Sequence, residues 1–171
     1  TTYPNRGSAY HYLRQLQQAA DDYNRALAMD QHFARAFYNR GSVHYELGQL
    51  NAALADYERA IELNPLDANS IHNRGITYHQ LGLFDEAIED FTYALHLDPA
   101  FASAYYNRHL AYLQRGAPGD DRAARSDMDQ YRRLTGGTNG RRDSGQGGGG
   151  VGSRCPSEQQ ELRACARSSL F

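Results

Sequence analysis

Asn39-Arg40-Gly41 and Asn73-Arg74-Gly75 are the same tripeptide 34 residues apart, and Asn5-Arg6-Gly7 precedes the first of them by the same step. A fourth copy stands at Asn107-Arg108-His109, with the glycine replaced. Outward from the tripeptide the step is kept: Ala19, Ala53 and Ala87; Tyr23, Tyr57 and Phe91; Ala26, Ala60 and Ala94. A period of this length marks stacked supersecondary units, none able to bury its apolar face alone, rather than a globule closed around one core.

The units fall at residues 1–33, 34–67, 68–101 and 102–135. Within the second, Ala36, Phe37, Arg40, Val43, His44 and Leu47 recur at steps of three and four, and so do Leu50, Ala53, Leu54, Tyr57, Ala60 and Ile61. Those steps predict two helices with one buried stripe each. Gly48 and Gly82 stand between the helices, where a C-terminal cap wants positive φ. Pro65 and Pro99 end the second helices because proline cannot continue the hydrogen-bond ladder. Gly41 and Gly75 are expected to face Ala53 and Ala87, with the large aromatics filling the space between units. Gly116-Ala117-Pro118-Gly119-Asp120 lengthens the last turn by three residues, and the polar final helix suits a terminal cap.

The fold class is therefore an all-α solenoid of about four helix-turn-helix repeats over residues 1–135, followed by a Gly-rich tail over 136–171. That composition predicts a flexible linker. Ser157 as a cap and the stripe Leu162, Ala166 and Leu170 predict a short helix over 157–167. The chain opens inside a repeat without a methionine, which reads as a fragment or a processed chain.

The 171 residues carry a formal charge of −2, and all 18 basic residues are arginine. Nothing there favours nucleic acid or an anionic membrane as the main partner. No apolar run is long enough to span a membrane. Cys155 and Cys165, both in the tail, fit a reducing compartment, and their spacing matches no common metal site; the expected setting is intracellular and cytoplasmic, with an organelle or a cytoskeletal assembly as the alternatives. No nucleophile elbow, phosphate-binding loop or zinc-protease motif is present, so catalytic residues, metals and cofactors are all read as none. His72 and His79 are too sparse a pair for zinc.

The residues quoted above resemble the tetratricopeptide repeat family over about residues 1–135. The third repeat carries Ile71, Arg74-Gly75, Tyr78, Ala87, Phe91 and Pro99, and the second carries Phe37, Arg40-Gly41, Ala53, Tyr57 and Pro65, with His44 where the family has Tyr. The resemblance implies a right-handed superhelix of antiparallel helix pairs that binds peptides or partner proteins. One departure stands out: Arg6, Arg40, Arg74 and Arg108 occupy a place where the family has Leu. Sixteen residues after the first three stand Asp22, Asp56 and Asp90, and after the fourth, allowing for the insertion, stands Asp127. Each Arg is expected to reach its Asp across the helix pair, since a guanidinium fork suits a carboxylate. The other reading is an Arg column that binds an acidic ligand.

In the family the first helix of each pair lines the inner groove. On that mapping Tyr38, Tyr45, His72, His79 and Tyr106 are groove residues, together with the column Asn5, Asn39, Asn73 and Asn107. A primary amide donates and accepts at once, which matches one peptide unit. The repeat domain of the O-GlcNAc transferases is similar here, with an Asn column that holds extended peptide. With helices about 10 Å apart and about 3.3 Å per extended residue, four such residues would grip on the order of ten. The other reading is that each Asn bridges neighbouring helices. Chaperone-tail binding by Lys and Asn, another use of the family, does not fit a chain without Lys. The expected function is a non-enzymatic interaction module or scaffold within a multiprotein complex. An architectural subunit, or the substrate-recruiting arm of a larger enzyme, are the alternatives.

Overall fold

The structure, a computed structural model, describes residues 3, 5–8 and 15–136. The stretch from residue 137 onward, with the helix expected over 157–167, lies outside the described residues. Residues 5–8 are helical. Seven helices follow: α1 Leu16–Met29, α2 Ala34–Glu46, α3 Leu50–Leu63, α4 Ala68–Gln80, α5 Phe84–Leu97, α6 Ala102–Arg115 and α7 Asp120–Leu134. There is no strand among the described residues. Each helix packs on the one before and the one after it.

The turns follow from their residues. After α2, Gly48 takes φ +73°, its N–H reaches the Tyr45 carbonyl at 2.9 Å and the Gln49 N–H reaches that of His44 at 2.8 Å. This two-bond closure satisfies carbonyls that the helix end would orphan. Gly82 repeats it at φ +78°, with Leu83 bonded back to Tyr78 at 3.0 Å. After α3 and α5, the Asn64 and Asp98 N–H groups make the last helical bonds, to Ala60 and Ala94 at 2.9 Å, and the next residue is proline. Asp67 caps α4, accepting from the Asn69 N–H at 3.2 Å and the Ser70 hydroxyl at 2.5 Å.

The second helices α1, α3 and α5 carry the fully buried rings Tyr23, Tyr57 and Phe91 with the buried alanines around them. The first helices touch each other directly, α2 with α4 and α4 with α6, while a second helix meets the next pair mainly through that pair's first helix. Closer approach along one layer bends the array toward it, so the first helices form its inner wall.

The recurring glycine of the repeats has a cause beyond the one expected. A Cβ on Gly75 would come within 2.8 Å of the Phe91 ring and 3.1 Å of the Asp90 Cβ, and one on Gly41 within 2.9 Å of the Tyr57 ring. The glycines make room for the aromatics of their own helix pair, whose ring atoms stand nearest the missing Cβ. In the last pair His109 stands at the glycine position and Met128 at the ring position. With no ring there, the imidazole fits, and its Nδ1 lies 2.8 Å from the Ala124 carbonyl oxygen.

Candidate functional site: the inner helices

Each repeat's Arg is held on its Asp by both nitrogens of the fork. Arg40 donates through Nε and Nη2 to Asp56 at 2.9 and 2.5 Å. The same two bonds join Arg74 to Asp90 at 2.8 and 2.7 Å and Arg108 to Asp127 at 2.8 and 2.7 Å. Arg6 donates Nη2 to Asp22 at 2.6 Å and Nε to its other oxygen. The Asp side chains are buried, and the Arg side chains of the last three pairs stay partly exposed. The Arg6 hydrogen bonds hold the Asp22 carboxyl below the ordinary range despite its burial. Asp90 likewise raises Arg74. A third nitrogen reaches back one repeat: Arg40 Nη1 meets Asn24 at 2.7 Å and Arg108 Nη1 meets Thr92 at 2.9 Å. Glu58 stands at the corresponding place for Arg74 and attracts it. These cations join the helix layers, which leaves them little capacity for an acidic ligand.

The Asn column is likewise engaged in part. Asn73 Nδ2 donates to the Tyr38 hydroxyl at 3.2 Å, and Asn107 Nδ2 lies 3.0 Å from His72 Nε2. Both bonds run from one first helix to the preceding one. Asn39 bears on the Tyr23 hydroxyl, and Asn5 is exposed.

Among the aromatic candidates, Tyr38, Tyr45 and His79 are half-buried on the inner layer. Burial pushes both tyrosine hydroxyls up and the His79 imidazole down. His79 packs edge-on to Phe84 with centroids 5.5 Å apart, and its Nε2 is buried without a hydrogen-bond partner. His72 and Tyr106 do not take the groove position expected of them. They are only 3% and 8% exposed. The reason is stacking: His72 is covered by Phe101 at 4.5 Å and Phe91 at 5.5 Å, and Tyr106 packs on Tyr131 at 5.2 Å. Their shared position points at the neighbouring helices rather than into the open space.

A depression of about 470 Å³ is lined by Ala34, Arg35 and Tyr38 of α2, by Asn64, and by Asp67 and Asn69 at the start of α4. Arg35, Asn64 and Asn69 are exposed there. It is open, polar and nearly balanced in charge, which suits amide and hydroxyl groups better than an apolar anchor or a strong anion. Among the described residues, no group of three His, Cys, Asp or Glu could hold a metal, and no helix is long and apolar enough to cross a membrane.

Two features escape a reading by spacing alone. Asp120, at the start of the last helix, is only 5% exposed. It receives Arg115 through Nε at 2.9 Å and Nη2 at 2.6 Å, and the Ala117 N–H at 2.8 Å, while Arg115 Nη1 reaches Asp85 of α5 at 2.7 Å. That cluster ties down the lengthened turn, with Gly116 and Gly119 at positive φ. The second is a matched exchange. The buried Tyr23 and Tyr57 hydroxyls meet Ser8 and Ser42 at 3.0 and 3.2 Å, whereas Phe91, with no hydroxyl, belongs to an apolar cluster against which Ile76 packs. A buried hydroxyl needs a partner and a phenyl ring does not, so the Ser-with-Tyr and Ile-with-Phe pairing was a signal present in the sequence.

The chain is similar in structure to MamA, with a TM-score of 0.75 and 25% identity over 79% of this chain and 77% of that one. It is similar to the first TPR of Spaghetti (RPAP3) bound to an HSP90 peptide, at TM-score 0.66 and 22% identity over 67% and 91%. A third is the Arabidopsis OM64 TPR domain, at TM-score 0.62 and 24% identity over 64% and 90%. No curated protein gives a match. A model of the TPR repeat matches residues 7–48, 41–82 and 78–116, well over half of the 171 residues. With its helix pairs, its 34-residue step and that match, the chain belongs to the TPR repeat family.

Proposed function

We propose that this chain is a non-enzymatic interaction module that holds an extended peptide or a partner protein against the inner wall formed by α2, α4 and α6. The observation that supports it most is the open polar depression between the start of α2 and the start of α4, two first helices that touch each other. The RPAP3 repeat domain, bound to an HSP90 peptide, is an instance of this fold holding a peptide. The present chain has no Lys with which to clamp a terminal carboxylate, so hydrogen bonds from Arg35, Asn64 and Asn69 and contact with Tyr38 and Tyr45 carry the recognition. A net hydrogen bond contributes about 1 kcal/mol, so affinity is modest and depends on several contacts together.

The test is affinity capture read by mass spectrometry with three baits: the wild type, Arg35→Ala with Asn69→Ala, and Tyr93→Ala on the outer helix α5. The two inner-wall side chains are exposed, so the fold is retained. Loss of the main partner with the inner-wall bait but not with Tyr93→Ala supports groove binding. Retention by the inner-wall bait and loss with Tyr93→Ala would assign the partner to the outer face, as in an architectural subunit.

A further inference from the structure

The residue before the Asn in each of the last three repeats is Tyr38, His72 and Tyr106. Tyr38 and His72 receive the amide of the next repeat's Asn. The tyrosine does so with a group that stays neutral at any physiological pH, and the histidine does so with a base. His72 is also the more deeply enclosed, closed in by Phe91 of α5 and Phe101 at the start of α6, with rings tilted by 54° and 41°. We propose that His72 makes the junction between the third and fourth helix pairs an acid-sensitive joint, at which uptake of a proton loosens the docking of α6–α7 on α4–α5.

The chemistry follows from the contacts. A neutral ring accepts the Asn107 amide on Nε2 and keeps its hydrogen on Nδ1. Protonation places a hydrogen on Nε2, so two donors face each other at 3.0 Å. Turning the Asn107 amide to offer its oxygen relieves that clash but leaves a buried cation without a counter-charge. The groups that bear on the ring are Phe91 from α5, Phe101 from the turn, Asn107 and the Ser103 backbone from α6, and Asn73 from its own helix. None is charged and none titrates. The tilted phenyl rings return a part of the lost hydration through their faces, but they do not replace a carboxylate. Burial accordingly pulls the imidazole down to about 4. The neutral ring is what the junction was built around.

An exposed imidazole titrates near 6.5, and burial in the docked joint lowers the ring to about 4. Between those values the open state binds more protons, so docking weakens as pH falls. At about pH 5 the opening constant rises by up to about 30-fold over its value at about pH 7.5, the ceiling being reached if opening fully exposes the ring. The inference concerns the joint and does not depend on what the groove binds. It is read by native-state hydrogen exchange with mass spectrometry at about pH 7.5 and about pH 5, corrected for intrinsic rates, comparing peptides from α6–α7 with those from α2–α3. The expected result is a selective loss of protection in α6–α7 of the wild type, and a much smaller loss in His72→Tyr, whose hydroxyl reproduces the Tyr38 contact. Equal loss in wild type and His72→Tyr, or protection in α6–α7 unchanged within about threefold, would overturn it. Should His72→Tyr not fold, the wild type alone decides by NMR: an imidazole titrating well below the ordinary histidine value supports the joint, and one titrating near 6.5 refutes it.

Discussion

Gly75→Ala is the substitution whose outcome the packing forecasts against the usual rule. Inside a helix, Ala is favoured over Gly by about 1 kcal/mol, so an unobstructed site would be stabilised. Here the new methyl would lie 2.8 and 3.0 Å from two Phe91 ring carbons and 3.1 Å from the Asp90 Cβ. Neither can retreat readily: Phe91 is fully buried and also packs on His72, and Asp90 is held by the Arg74 fork. Forcing a methyl group into such a site costs up to about 3 kcal/mol. The net effect is a loss of about 2 kcal/mol, or roughly 8 °C in midpoint for an ordered region of this size. Thermal and urea denaturation followed by circular dichroism measure it. The control is a double-mutant cycle. Phe91→Leu alone costs on the order of 1.5 kcal/mol, but in that background Gly75→Ala becomes neutral or stabilising, so the two changes couple by about 2 kcal/mol. The last repeat already uses such a combination, His109 with Met128. If Gly75→Ala stabilises the unmodified chain, or if the two effects simply add, the ring contact does not explain the glycine.

Two further outcomes test the polar framework. Arg74→Met strands the buried Asp90 and is expected to destabilise by roughly 2–4 kcal/mol, measured by urea denaturation, with Arg74→Lys intermediate because an ammonium cannot make the two-bond contact. Asp120 is held below the ordinary carboxylate range chiefly by Arg115, as Asp22 is by Arg6. Their folded values lie below the unfolded 3.8, so the stability they confer is present above that pH and is lost as pH falls through the folded values. Asp120→Asn should therefore flatten the stability profile at the acid end while lowering it near neutrality, and an unchanged acid slope would count against the assignment.

Much of the architecture is legible in one dimension because each helix pair is a copy of its neighbour. A contact within a pair recurs with the chain's own period, so its partners stand at a constant spacing. Arg and Asp meet sixteen residues apart, and nineteen where the turn is longer. Glycine at the turns, proline after the second helices and the apolar stripes of three-and-four spacing are visible for the same local reason.

Contacts between pairs depend on the angle at which one pair is set against the next, and no short stretch of sequence encodes that angle. Tyr38, His72 and Tyr106 occupy one position in the repeat, yet the first is half-buried beside an open depression and the other two are closed over by neighbouring rings. The family's mapping of the first helix onto the groove placed all three on one face. Asp120 is similar: its neighbour Asp121 is exposed, and only the fold of the inserted turn brings Arg115 and the Ala117 N–H to its carboxylate. The sequence by itself determined the repeated helix pair and the register of the ions within it, because those distances are set by helix geometry along a single chain. The tertiary structure decided which inner-layer side chains remain open to a partner, because that depends on how the stacked pairs turn against one another.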